Sequence, residues 1–169
     1  MENKVIWNKT TRILHWAIAI PVAMNFFIDG GDAPHKVLGY ISLAAVMGRF
    51  FWGFKSRDHA NFSSFPLSQQ EVTNFLSSLK KSNSKTYPGH NPMASWTYIL
   101  IWICVIFLGI TGFMMGLDAF WGEEWLERFH GQLSTSLSAL VVIHFLGLIF
   151  DSIKHKRKTW TGMITGKRL

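Results

Sequence analysis

The 169-residue chain is predicted to be all-α, an integral membrane four-helix bundle with both termini cytoplasmic, and three observations lead there. Its composition is 49% hydrophobic and 15% aromatic with only 16% charged residues, which suits lipid better than water. Near-continuous apolar runs occur at residues 13–28, 37–54, 96–115 and 133–153, each close to the ~20 residues a helix needs to cross a bilayer. The basic residues are also sorted by side. Of the 17 Lys and Arg, all but Lys36 and Arg128 fall in the N-terminal segment, the central loop with its flanking Arg49, or the C-terminal tail. The remaining two connections are acidic, with Asp29 and Asp32 in one and Asp118, Glu123, Glu124 and Glu127 in the other. The positive-inside rule therefore puts the termini and the central loop in the cytoplasm. A net charge of +7 would suggest nucleic acid in a soluble protein. Here it sets topology, and no nucleic-acid partner is expected.

The expected spans are about residues 9–28, 36–54, 94–115 and 129–153. Asn8 or Thr10 can cap the first, and Pro21 should kink it. Its run contains a histidine and a proline and no small-residue cleavage pattern follows, which marks a retained span rather than a secretory signal. The turn IDGGDAPHK stops that helix, and His35 opens the second on the outer side. Fourteen residues below His35 comes Arg49, near the inner face, where a guanidinium either pairs with an anion or snorkels. In the central loop, SQQEVTNFLSSLKK begins with a capping box, Ser68 to Glu71, and gathers Val72, Phe75, Leu76 and Leu79 on one face. That spacing predicts an amphipathic helix over about 69–81, lying on the cytoplasmic surface or against a partner. His59 and His90 fall in the polar loop and are not expected to ligate a metal.

The turn TYPGHNPM leads to a third span without histidine, where Trp96, Trp102, Gly109 and Gly112 read as packing and interfacial residues. Cys104, the only cysteine, reads as a small buried apolar side chain; there is no disulfide framework, thiolate metal site or covalent haem attachment motif. The outer loop GLDAFWGEEWLERF is aromatic and acidic, a surface for a periplasmic partner. After the fourth span, KHKRKTWTGMITGKRL is a basic tail with Trp160 at the headgroups and His155 solvated within it.

The fourth span carries the chemistry. His130 and His144 are fourteen residues apart, roughly 21 Å of helical rise, and return to within about 40° of the same direction. Ser134 and Ser138 lie between them, with Gly131 and Gly147 close by, so the face is thinly clothed. A lone histidine in a helix is commonly a packed core residue. Two on one face of a membrane helix, at opposite depths, need two partners. His15 matches the depth of His144 near the inner end, and His35 matches His130 near the outer end. Two imidazoles facing across a bundle supply both axial positions of a planar iron macrocycle, whereas zinc would want four clustered ligands. The expectation is two b-type haems, with His15 and His144 on the inner iron and His35 and His130 on the outer. Arg49 or Arg12 could pair with the anionic propionates of the inner one. With both axial positions filled, such haems suit electron transfer rather than oxygen binding.

The phrases RILHW, HKVLGY, GRFFWGF, ANFSSF, YPGHNPM, FHGQ, IHF and MITGK together resemble the bacterial cytochrome b561 superfamily, and within it the b-type cytochrome subunits of nickel-iron hydrogenases. The resemblance covers nearly the whole chain and implies a single four-span cytochrome b domain over residues 1–169. It further implies an inner-membrane dihaem protein that exchanges electrons between quinone and a periplasmic redox protein, with His15, His35, His130 and His144 as the haem ligands. The chain is more compact than hydrogenase-linked members, which leaves a soluble c-type cytochrome as an alternative partner to a hydrogenase-like one. Two other functions stay open. One is a superoxide:quinone oxidoreductase, although an acidic outer loop repels an anion. The other is a haem-free membrane anchor or transporter subunit whose histidines conduct protons.

Overall fold

The computed structural model describes residues 5–28, 30–79, 86–87 and 89–167. Among the described residues six α-helices follow one another: α1 (Lys9–Asn25), α2 (Ala33–Lys55), α3 (Gln69–Leu79), α4 (Pro92–Met114), α5 (Glu124–Lys154) and the short α6 (Gly162–Thr165). Single 3₁₀ turns at Phe62–Ser64, Asp118–Phe120 and Thr159–Thr161 join them, and among the described residues there is no strand. The helix starts follow from the sequence. Asn8 accepts the Thr11 amide at 2.8 Å and Asn91 the Ala94 amide at 2.8 Å, while Pro34 and Pro92 occupy first turns where no amide is needed. α5 has Glu124 and Glu127 in its first turn and Lys154 in its last, matching the helix dipole.

Among the described residues, α2, α4 and α5, with 23, 23 and 31 residues, are long and apolar enough to cross a membrane. α1 has 17 residues and rises roughly 25 Å, a little short of the ~30 Å hydrocarbon core. α1 packs on α2, α2 on α4 and α4 on α5, whereas α1 and α5 do not pack closely on each other. The small buried centre is Val22, Val46, Cys104, Val105 and Leu137, which gives Cys104 the apolar burial expected of it. Outward apolar side chains such as Phe107 and Ile110 on α4 and Phe145 and Ile149 on α5 stay exposed, as lipid-facing surfaces require. Gly109 lets α4 approach α2, since a Cβ there would stand 2.7 Å from Leu43.

Below the bundle the central loop folds back. Ser68 caps α3 through the Glu71 amide at 3.2 Å, and the Glu71 carboxylate meets the Ser68 hydroxyl at 3.3 Å rather than the backbone amide of a full capping box. α3 packs on α4 with Phe75 buried, and Lys154 at the end of α5 donates to the Leu79 carbonyl at 3.2 Å. Lys80 and Lys81, expected at the end of this helix, lie outside the described residues, as do Lys4, Asp29, Lys85 and Arg168 of the charge pattern. His155 is not the solvated residue expected: its imidazole lies 3.8 Å from the Asp151 carboxylate with only 11% of the side chain exposed. The reason is the chain reversal after α5, which folds the basic tail back against Asp151.

Phe62 fills the space left by Gly53 on α2, where a Cβ would stand 2.5 Å from the ring. Gly53→Ala is therefore expected to destabilise the fold by about 1–3 kcal/mol through overpacking, measured by unfolding in detergent.

Candidate functional site

The four histidines His15, His35, His130 and His144 meet two by two. The rings of His15 on α1 and His144 on α5 have centroids 6.4 Å apart and planes at 50°. Those of His35 on α2 and His130 on α5 are 6.3 Å apart at 56°. Both separations exceed contact stacking. Two metal–nitrogen bonds of about 2 Å, with about 1.1 Å from each nitrogen to its ring centre, span about 6 Å. The spacing thus fits one metal ion between each pair.

The outer pair is oriented by two helices. Thr111 Oγ1 lies 2.8 Å from His130 Nδ1 and 2.7 Å from the Phe107 carbonyl, to which it donates. In the tautomer with its proton on Nδ1 the imidazole donates to the threonine and keeps its lone pair on Nε2, the nitrogen then able to ligate. Gly112 opens the space beside this ring, since a Cβ there would touch Cε1 at 3.5 Å. Asn25 at the end of α1 donates to the His35 carbonyl at 3.2 Å and ties the start of α2 across the turn. His35 Nδ1 is buried without a hydrogen-bond partner, a polar atom left for a ligand or an ordered water.

The inner pair sits in an aromatic setting. Trp16 lies edge-on to His15 at 5.4 Å, and Tyr98 lies 5.4 Å from His144. Tyr98 in turn packs on His90 at 4.7 Å, and His90 on Trp7 at 4.7 Å and Phe65 at 4.5 Å. His90, read from the sequence as a polar loop residue, is buried. Its signal was the proline-rich turn TYPGHNPM, which folds the loop inward instead of leaving it in solvent.

The two arginines are held by the protein itself. Arg49 is buried, donates to the Ala60 carbonyl at 2.9 Å and lies over the Trp102 ring at 5.2 Å, with Phe62 and Phe65 each at 6.0 Å. Its Nη1 is buried without a hydrogen-bond partner. This arginine is enclosed by rings rather than snorkelling. Arg12 donates to the Ile164 carbonyl at 2.6 Å, and its Nε is buried and unpartnered.

Beside His144 opens a mostly apolar cleft of about 390 Å³ between α3, α4 and α5. Phe75, Leu76 and Leu79 form one wall, Thr97 and Tyr98 another, and His144, Gly147 and Asp151 the third. Tyr87 stands at its mouth, where burial first and the Glu71 carboxylate second raise the phenol above its ordinary pKa, so that it keeps its proton at neutral pH.

A helical membrane protein with imidazoles facing in pairs across its interior has the frame of a b-type cytochrome. The chain belongs to the prokaryotic cytochrome b561 family, whose sequence pattern it matches over residues 6–166. A relative is the probable Ni/Fe-hydrogenase B-type cytochrome subunit of Cupriavidus necator, 22% identical over 209 residues that take in 96% of this chain and 86% of that protein. No solved structure matches the chain. The family implies haem b and membrane electron transfer. Haem b fits the residues present, because each pair offers two imidazoles and the only cysteine is enclosed in the apolar centre. Thr111→Val should leave the helical content unchanged and speed haem loss about tenfold, read as transfer to an apoprotein acceptor.

Proposed function

We propose that this chain carries electrons across the bacterial inner membrane, between membrane quinone and a periplasmic redox protein, through two bis-histidine haems b. The observation that carries this reading is the pairing of His15 with His144 and of His35 with His130 at 6.4 and 6.3 Å. α1 is read as a fourth span whose missing length is made up by polar ends, with both termini cytoplasmic. His15 with His144 and His35 with His130 would each hold one haem, which would supply a one-electron couple there. The protein's part is to hold the imidazoles in place and facing each other. α5 keeps the two pairs roughly 21 Å apart along one rigid axis.

At the inner end the cleft against His144 is suited to a quinone ring. Its apolar walls match the isoprenoid chain, and Tyr87 in its lining is a group that can hand protons to or from the ring oxygens. Of the inner-end groups His15, Arg49 and the amphipathic helix α3, only α3 borders the cleft. At the outer end, Trp121 is 84% exposed and Glu123, Glu124 and Glu127 are exposed beside it, a surface complementary to a basic partner such as a c-type cytochrome or a hydrogenase-like subunit.

Purified wild-type protein from haem-replete cells is expected to contain two haems b per chain by pyridine haemochrome. Alanine at any one of the four histidines should reduce this to one. Colourless wild-type protein would leave the membrane-anchor reading standing in its place. Gly147 lines the cleft and has no atom within 4 Å of where its Cβ would lie. Gly147→Phe should therefore fold, keep both haems and slow quinone-dependent haem reoxidation at least about tenfold, measured by stopped flow.

A further inference from the structure

The helices that carry the inner histidine pair, α1 and α5, do not pack closely on one another, so close approach of their backbones does not set their separation. The C-terminal tail spans that gap. At its start it is knotted to α5. The chain reverses through Lys156 at a φ of 49°, and the Asp151 carboxylate then receives Arg157 through three hydrogen bonds of 2.9 to 3.1 Å. Thr159 closes the knot, its hydroxyl donating to Asp151 and its amide to Ser152 Oγ at 3.3 Å.

At its far end the tail is latched to α1. Trp16 donates its indole N–H to the Met163 carbonyl at 2.9 Å, and Arg12 donates to the Ile164 carbonyl at 2.6 Å. The Gly166 carbonyl accepts from the Ile6 amide at 2.8 Å and the Trp7 amide at 3.2 Å. Gly166 itself adopts a φ of 82° and brings its α-carbon so near the Trp7 carbonyl that a Cβ would stand 2.7 Å away. The latch residue Trp16 adjoins His15 in sequence and lies edge-on to its ring. The outer pair, on α2 and the other end of α5, has no such link to the tail among these contacts.

From this we infer that residues 157–166 form a positioning strap that fixes how far α1 stands from α5, and with it the register of His15 against His144. The inference rests on the reading of that pair as axial ligands. Asp151, Arg157, Trp16, Arg12 and Gly166 act through the histidines and bind nothing themselves. The strap divides the molecule unequally: it holds one histidine pair and leaves the other to the packing of α2, α4 and α5.

The test uses the full-length protein with its haems, and the outer haem serves as an internal control. His144→Ala and His130→Ala assign the inner and outer low-spin signals in electron paramagnetic resonance. Gly166→Ala and Asp151→Asn are then expected to move the inner signal and to speed loss of the inner haem about fivefold, the equivalent of one or two hydrogen bonds, with the outer haem unchanged. Trp16→Phe, which keeps the ring and removes one donor, gives the smaller shift in the same direction should either of the first two fail to fold. Signals that move together, or not at all, overturn the strap. Wild-type protein whose signals ignore His15→Ala and His144→Ala overturns the ligand reading instead, so the two failures are distinguishable.

Discussion

An imidazole placed among hydrocarbon side chains forfeits the hydrogen bonds water would give it, and the cost is several kcal/mol unless its ring nitrogens are otherwise engaged. That requirement organises the bundle. Four half-buried histidines stand in its interior, and the helices around them are arranged so that each faces another across a gap of metal-coordinating width. Close packing is concentrated on one side, from α1 through α2 and α4 to α5, and is relaxed where α1 and α5 confront each other. Gly131 and Gly147 on α5 have nothing within 4 Å of where a Cβ would lie. The hydrophobic centre, only a handful of side chains, sits between the two levels and serves as a spacer.

Much of this was legible from residue spacing, because a helix converts sequence distance into depth and direction without help from the rest of the chain. His130 and His144 could be placed on one face by counting, and the first helix begins at Asn8, one of the two caps the sequence offered, whereas the Asn91 cap of α4 emerges only in the structure. The pairing geometry itself depends on α1 and α2 lying where they do, which spacing alone does not dictate. Local polarity misled where the fold reversed on itself. His90 and His155 sit in polar stretches and were read accordingly, yet one is enclosed by Trp7, Phe65 and Tyr98 and the other faces Asp151. The hydrogen bond from His130 to Thr111 joins residues 19 apart on different helices and carries no sequence signal beyond an ordinary threonine.

The arginines show how a charge near a cofactor site can be claimed by the protein first. Arg49 is surrounded by the rings of Phe62, Phe65 and Trp102 and tied to a loop carbonyl, so its immediate work is to hold the central loop against α2 and α4. Arg12 does the corresponding work for the tail. Each keeps one buried nitrogen without a hydrogen bond, so neither is saturated, and each has donor capacity left over for an anion.

α5 has a consequence of a different kind. At 31 residues it is about 46 Å long, enough to reach through both headgroup regions, and it contributes one member of each histidine pair. A piston-like slide of this rod would carry both members the same way and leave the interval between the two levels untouched. Electron tunnelling weakens steeply with distance, so building that interval into one covalent, hydrogen-bonded axis shields it from thermal breathing of the bundle, while α1 and α2 each supply the second imidazole of one level.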